Sequence, residues 1–231
     1  MKYNQIVEGI FLDRPNRFVA HVLIEDTVET VHVCNTGRCK ELLVPEAKVY
    51  LSVSDNAKRA TKYDLVAVEK ETIYGTLLIN MDSYAPNRAM NEWLLSGGLG
   101  NDVTEVKPEC KYGNSRFDFF FKRGDKPCFL EVKGVTLEEN QIVRFPDAPT
   151  ERGVKHIEEL IDAKNNGFDA YICFVVQMKG MKHFEPNDKT HQAFGDALRK
   201  AKEEGVNILA VQCDITRDSM VINGQRLEIV L

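Results

Sequence analysis

Over the first 80 residues the apolar positions fall in short runs: NQIVEGIFL, RFVAHVLIE, TVHVCN, KVYLSVS, DLVAVEKE and YGTLLIN. They are rich in β-branched and aromatic residues and partly alternate with polar ones, the pattern of strands with one buried face. Turn-forming residues separate them at Asp13 to Asn16, at Asn35-Thr36-Gly37 and at Ser54 to Asn56. Only CKELLVPE breaks the pattern with a helix-like spacing. Regular short strands of this kind predict a small barrel, OB-like or SH3-like.

The pattern changes near residue 84. APNRAMNEWLLSGG reads as a helix, with Pro86 near its start and Gly97-Gly98 as its stop. SRFDFFFKR and KPCFLEVKG read as two strands around a short turn. A helix then follows from an N-cap at Thr150 to Gly167, with Val154, Ile157, Leu160 and Ile161 as its apolar stripe. DAYICFVVQM and VNILAVQCDI are near-continuous apolar runs, as in strands buried on both faces, and HQAFGDALRKAKEEG is a helix between them. This alternation predicts parallel strands with helical crossovers. MVINGQRLEIVL predicts a terminal hairpin turning at Asn223-Gly224. The expected fold class is mixed α/β, with a barrel over 1–83 and an α/β domain over 84–231.

One strand carries an anomaly. In FLEVKG, Phe129, Glu131 and Lys133 share a face, while Leu130 and Val132 point the other way. A two-residue loop at Gly124-Asp125 sets Asp118 opposite Glu131 and Arg116 opposite Lys133, with the acidic Cβ atoms ~5 Å apart. Opposed like charges are unfavourable, and these sit among Phe117, Phe119, Phe121 and Phe129. A shared proton, diagonal neutralisation by Arg116 and Lys133, or a divalent cation would each relieve the pair. Two carboxylates suit Mg²⁺ or Mn²⁺. A lysine beside them suits charge stabilisation during phosphodiester hydrolysis.

Composition narrows the classes. The 231 residues are 43% hydrophobic and 28% charged, with a net charge of −5. That is an ordinary globular balance, so any anion-binding surface must be a local patch. There is no apolar run of membrane-spanning length and no signal-peptide pattern, so no membrane partner is expected and the expected location is cytoplasmic. The six cysteines make no zinc-binding spacing and read as reduced thiols, with Cys34 and Cys39 near enough in sequence to meet across a turn. Arg38, Lys40, Lys58, Arg59 and Lys62 supply positive charge for phosphates, and Tyr50 and Tyr63 offer rings for stacking. On the helix from Thr150, Arg152, His156 and Glu159 form one polar stripe. Arg152 near the helix start suits a phosphate, whereas His156 fits either the site or surface pairing.

The stretches NTG at 35–37, PNR followed by Glu92, YGNSRFDF at 112–119, FLEVKGVTL at 129–137, FPDAPTERGVKHIEEL at 145–160 and AYICFVVQM at 170–178 resemble the bacterial and archaeal sugar fermentation stimulation protein family over nearly the whole chain. The resemblance implies an N-terminal OB-like β-barrel and a C-terminal domain like the PD-(D/E)-x-K nucleases. It implies non-specific DNA binding and a regulatory link to sugar metabolism. The nuclease motif falls on Asp118, Glu131 and Lys133, and Glu92 stands where such folds often supply another acid to the metal. Two departures stand out: Arg38-Cys39 replaces an expected small residue and Met, and Met178 replaces a basic residue. Two readings stay open, metal-dependent cleavage of DNA and a non-cleaving regulator or hydrolase of a smaller nucleotide or RNA.

Overall fold

The computed structural model describes every residue except Thr36, Ala57 and Asn114. Thr36 of the predicted polar turn and Asn114 of the YGNSRFDF stretch therefore lie outside the described residues.

The six N-terminal runs form β1 (Ile6–Asn16), β2 (Val19–Ile24), β3 (Thr27–Val33), β4 (Lys48–Val53), β5 (Tyr63–Thr72) and β6 (Gly75–Asn80). They pair in the order β3-β2-β1-β4-β5-β6, and a further β3–β5 pairing closes the barrel. Alternation sends Ala20, Val22, Val31, Val33, Leu51 and Leu65 inward. Two expectations need correction. The chain does not turn at Asp13 to Asn16; β1 continues through them with two register shifts, and the turn is Arg17-Phe18. CKELLVPE is not a helix but a single turn, with Leu43 N donating to Cys39 O at 2.9 Å. Pro45 has no amide with which to continue it, and Glu46 takes a positive φ of 70°.

The rest of the chain builds α1 (Ala85–Leu95), β7 (Val103–Tyr112), β8 (Ser115–Arg123), β9 (Lys126–Val135), β10 (Leu137–Glu139), β11 (Ile142–Phe145), α2 (Glu151–Asn165), β12 (Asp169–Val176), β13 (His183–Pro186), α3 (Asp188–Glu203), β14 (Asn207–Thr216), β15 (Ser219–Arg226) and β16 (Glu228–Ile229). A large sheet runs β15-β14-β12-β9-β8-β7, and a small one runs β10-β11-β13-β16. β12 lies parallel to both β9 and β14, as the strand–helix alternation requires. On β12, Ile172, Phe174 and Val176 pack with Ile157, Phe194 and Leu198 of α2 and α3. Tyr171, Cys173 and Val175 pack with Met90, Trp93 and Leu94 of α1. The sheet is thus a sandwiched layer, and its central strand is buried on both faces as its sequence indicates.

The hairpin expected at Asn223-Gly224 is displaced. β15 runs through that dipeptide, with Gly224 at φ 79° beside a register shift, and the turn lies at Arg217-Asp218. The dipeptide makes a bulge rather than a reversal.

Gly134, the last residue of FLEVKG, fixes the site. A Cβ there would meet Pro86 Cγ at 2.8 Å and overlap Gln177 Oε1. The bare backbone lets the first turn of α1 and the Gln177 side chain close over the end of β9. Gln177 is buried and donates to Asn80 O at 3.0 Å and Asp82 O at 3.1 Å, which ties β12 to the barrel's exit. Gly134→Ala is expected to lower stability by roughly 1–3 kcal/mol through overpacking, measured by denaturant unfolding, and to disturb the side chain that follows Pro86.

Candidate functional site

β8 and β9 pair with Phe119 opposite Leu130 and Arg123 opposite Lys126, the register of a two-residue turn. That register points Asp118 toward Glu131. The ladder ends at Phe119–Leu130, however, and the next amide of β9, Val132 N, donates to Asp118 Oδ2 at 2.7 Å. β8 parts from β9 here, and the acidic side chain takes a place a backbone carbonyl would fill. Asp118 Oδ1 accepts from Asn87 Nδ2 of α1 at 2.8 Å. Asn87 follows Pro86, so the Gly134 contact and the Asp118 contact share one helical turn.

Glu131 is 3% exposed. Its Oε1 accepts from Lys133 Nζ at 2.6 Å and also contacts Nδ1 of buried His156, from α2. Arg152 Nε donates to His156 Nε2 at 3.3 Å, one turn earlier on the same helix. That network assigns the proton to Nδ1, so His156 donates to Glu131 and accepts from Arg152. Thr150 caps α2 by accepting from Gly153 N at 3.0 Å, which sets the phase of the stripe. Glu159, the third stripe residue, instead accepts from Ser115 Oγ at 2.7 Å. Glu131 Oε2 is buried and has no hydrogen-bond partner among the described residues.

The two carboxyl groups are driven apart in acidity. Burial and the neighbouring Glu131 charge raise Asp118 above the ordinary aspartate range, outweighing the Val132 amide, Asn87 and Lys133. For Glu131, burial pushes upward, but His156 and Lys133 outweigh it and hold the group below the ordinary glutamate range. An anionic Glu131 with a bare, buried oxygen thus stands beside an Asp118 whose charge is costly. Hard oxygen donors with spare lone pairs and an unmet need for positive charge fit a divalent cation.

The other predicted residues divide. Glu92 does not join the pair. It lies roughly 140° around α1 from Asn87, is 59% exposed in its side chain, and meets the N-terminal ammonium at 2.5 Å. Arg116 does not neutralise the pair either; it lies on the exposed surface against Glu109 at 3.0 Å. Arg59 is not free for phosphates, because both terminal nitrogens bind Asp64 at 2.6 and 2.7 Å. Lys58 is exposed, and Lys62 lies 4.9 Å over the Tyr63 ring. Tyr50 and Tyr63 are 5% and 7% exposed, so they belong to the barrel and cannot stack on a base. Phe18, Tyr74 and Tyr84 are the exposed rings instead. Cys34 and Cys39 do not meet: both are free thiols, and Cys39 is in the core. Met178 is likewise buried core.

Arg38 and Lys40 line a groove of about 470 Å³ with Arg14, Arg17, Gly37 and Ala148. Arg14 is an organiser of that groove, missed in the sequence. It donates to the carbonyls of Asn35, Gly37, Arg38 and Arg17 at 2.7–3.0 Å. A second cavity of about 180 Å³ includes Gly37 and Asp147 at one side and Gly134 and Gln177 at the other. Gly37 lines both cavities.

Comparison with known proteins places the chain. Residues 12–79 match the sugar fermentation stimulation protein N-terminal OB domain, and residues 84–219 match the sugar fermentation stimulation protein RE domain. Sugar fermentation stimulation protein homologs of Clostridium beijerinckii and Ruminiclostridium cellulolyticum are 57% and 53% identical over 222 and 225 residues, covering 96% and 97% of this chain and 96% and 98% of theirs. The structure of Pyrococcus furiosus SfsA in complex with Ca²⁺ superposes with a TM-score of 0.88 at 27% identity, covering 100% of this chain and 98% of that one. The chain belongs to the sugar fermentation stimulation protein family.

Proposed function

We propose that this protein binds DNA without sequence preference and hydrolyses phosphodiester bonds at the Asp118–Glu131–Lys133 site with a divalent cation. The observation that carries the reading is the bare, buried Glu131 Oε2 beside an Asp118 that Asn87 and the Val132 amide hold in place. Asp118 and Glu131 would hold the ion, and Mg²⁺ or Mn²⁺ would supply Lewis-acid activation of water and phosphate. The Ca²⁺ in the Pyrococcus furiosus relative supports a divalent ion of the hard, oxygen-seeking class. Among the described residues, no helix is long and apolar enough to cross a membrane.

The chain's own residues divide the work. Asn87 and the Val132 amide fix the Asp118 carboxylate in one orientation. His156 and Lys133 occupy Glu131 Oε1 and leave Oε2 without a hydrogen-bond partner among the described residues. When a phosphate enters, Lys133 can swing its ammonium from Glu131 to the developing negative charge, since its side chain keeps 15% of its surface exposed. Arg152, held against His156, presents a second cation at the start of α2. Arg38 and Lys40 of the basic groove would meet the backbone phosphates of the bound strand. A regulatory role of the kind the family name implies would use the same groove.

Incubation with single- and double-stranded DNA and RNA, with Mn²⁺ or EDTA, tests the reading. Metal-dependent cleavage lost in Asp118→Ala supports it; binding without cleavage in any metal would replace it with a non-cleaving regulator. Metal affinity should also depend on pH in a defined direction. Asp118 is raised, so a proton competes with the ion at a higher pH than at an ordinary aspartate. Glu131 is lowered and stays ionised in that window. Affinity is expected to be flat above the raised Asp118 value and to fall about tenfold per pH unit below it, one proton per ion. Mn²⁺ calorimetry across pH checks this, and two protons per ion would contradict the assignment.

A further inference from the structure

The barrel holds a second cluster of ligand-type side chains, distant in role from the carboxylate pair. We infer that His32, Cys34 and Asp64 form a binding site for a borderline-soft divalent cation of the Zn²⁺ class. His32 Nδ1 and Asp64 Oδ1 are 2.8 Å apart, Cys34 Sγ and His32 Nδ1 3.3 Å, and Cys34 Sγ and Asp64 Oδ1 3.5 Å. All three residues are half-buried.

Hydrogen bonding does not account for this triangle well. The imidazole N–H and the thiol S–H can both go to Asp64 Oδ1, which leaves the sulfur–nitrogen contact of 3.3 Å without a proton of its own. A tetrahedral Zn²⁺ with bonds of about 2.0–2.3 Å sets ligand atoms about 3.3–3.6 Å apart. The observed edges therefore need to open by about 0.5 Å or less. The donor set excludes Mg²⁺ and Ca²⁺, which take oxygen ligands, and selects an ion that accepts sulfur and nitrogen. Three protein ligands leave a fourth position for water.

The supporting contacts fit. Arg59 holds Asp64 through both oxygens, and a cation would take the place of the His32 and Cys34 protons that now meet Oδ1. The cluster also sits where the barrel closes, because β3 and β5 are joined by only two pairs, His32–Asp64 and Val33–Leu65. A cation there would staple that short closure and anchor the segment leading to Gly37 and the basic groove. Binding breaks the Cys34 S–H bond and releases its proton to solvent, with the His32 proton on Nε2.

The test uses reduced full-length protein in excess Mg²⁺, so that the carboxylate pair is already served. One equivalent of Co²⁺ is expected to produce thiolate-to-cobalt charge-transfer absorption in the near ultraviolet. Zn²⁺ should abolish it, Cys34→Ser should lack it, and Asp118→Ala should retain it. Alkylation mapping gives a readout on the unmutated protein. Zn²⁺ should slow modification of Cys34 by about tenfold or more by capturing its thiolate, while Cys110, the other half-buried thiol, is unaffected. No charge-transfer band with excess Co²⁺, a band unchanged in Cys34→Ser, or equal alkylation of Cys34 with and without Zn²⁺ would each overturn the site.

Discussion

Lys133→Ala is expected to lower metal-dependent strand cleavage by about 10²–10³-fold, the loss typical of a single charge-stabilising donor, with DNA affinity nearly unchanged. Glu131 keeps its His156 contact, so the variant should fold. Asp118→Asn makes the sharper test, because activity and stability should move in opposite directions. The amide cannot serve as an anionic ligand, so cleavage should vanish. Yet it removes a buried charge that stands against Glu131, while its carbonyl can still accept from Val132 N and Asn87 can turn its amide to accept from the new NH2. Metal-free Asp118→Asn is therefore expected to gain on the order of 1 kcal/mol, roughly 2–4 °C in Tm. Added Mn²⁺ should raise the Tm of the parent protein and not that of the variant. Trp93, the single tryptophan, lies on α1 beyond Asn87 and offers a fluorescence signal for the same titration. An Asp118→Asn protein that is less stable and still cleaves would sink both the charge conflict and the proposed site.

The sequence exposes this conflict because period-two alternation and a short turn suffice to set Asp118 toward Glu131. The barrel strands and the doubly buried β12 are legible for the same reason, since hydrophobic period carries them. What escapes is whatever depends on tertiary neighbours. β7 reads as polar and contains Pro108 because it is an edge strand with most side chains in solvent. β10, β11, β13 and β16 are only two to four residues long, too short to show a period. His156 shares a stripe with Arg152, but nothing in its spacing says that the stripe faces β9. Glu92 and Arg59 have suitable charge for their expected roles, and both are claimed by partners far from those roles: the N-terminal ammonium, and an aspartate on the strand that closes the barrel. Asn223-Gly224 has the composition of a turn, but the preceding Arg217-Asp218 already reverses the chain, so it becomes a bulge.

Besides the Gln177 contacts, a buried ion pair joins the barrel to the small sheet, and breaking it is expected to have the largest effect on stability. Lys70 of β5 donates to Glu138 Oε2 and to the Glu138 carbonyl of β10, both at 2.6 Å. Glu138 Oε1 accepts from Gln141 N at 2.7 Å, and its side chain is only 3% exposed. Lys70→Ala strands that carboxylate without its cation, at a cost of about 3–5 kcal/mol. For a chain of this length that is a fall of roughly 10 °C or more in Tm. High salt should change the parent's stability little through this pair, because a buried contact is weakly screened. Lys70→Met with Glu138→Leu removes both charges together and should recover most of the loss. The hairpin of β10 and β11 feeds the loop that carries Asp147 and the Thr150 cap of α2, and α2 carries His156. Lys70→Ala should therefore also depress cleavage below the melting range, and the double variant should restore it. Calorimetry and a cleavage assay on the three proteins decide the matter: a Lys70→Ala loss under about 1 kcal/mol, the scale of an exposed pair, would mean that this ion pair is not what holds the two lobes together.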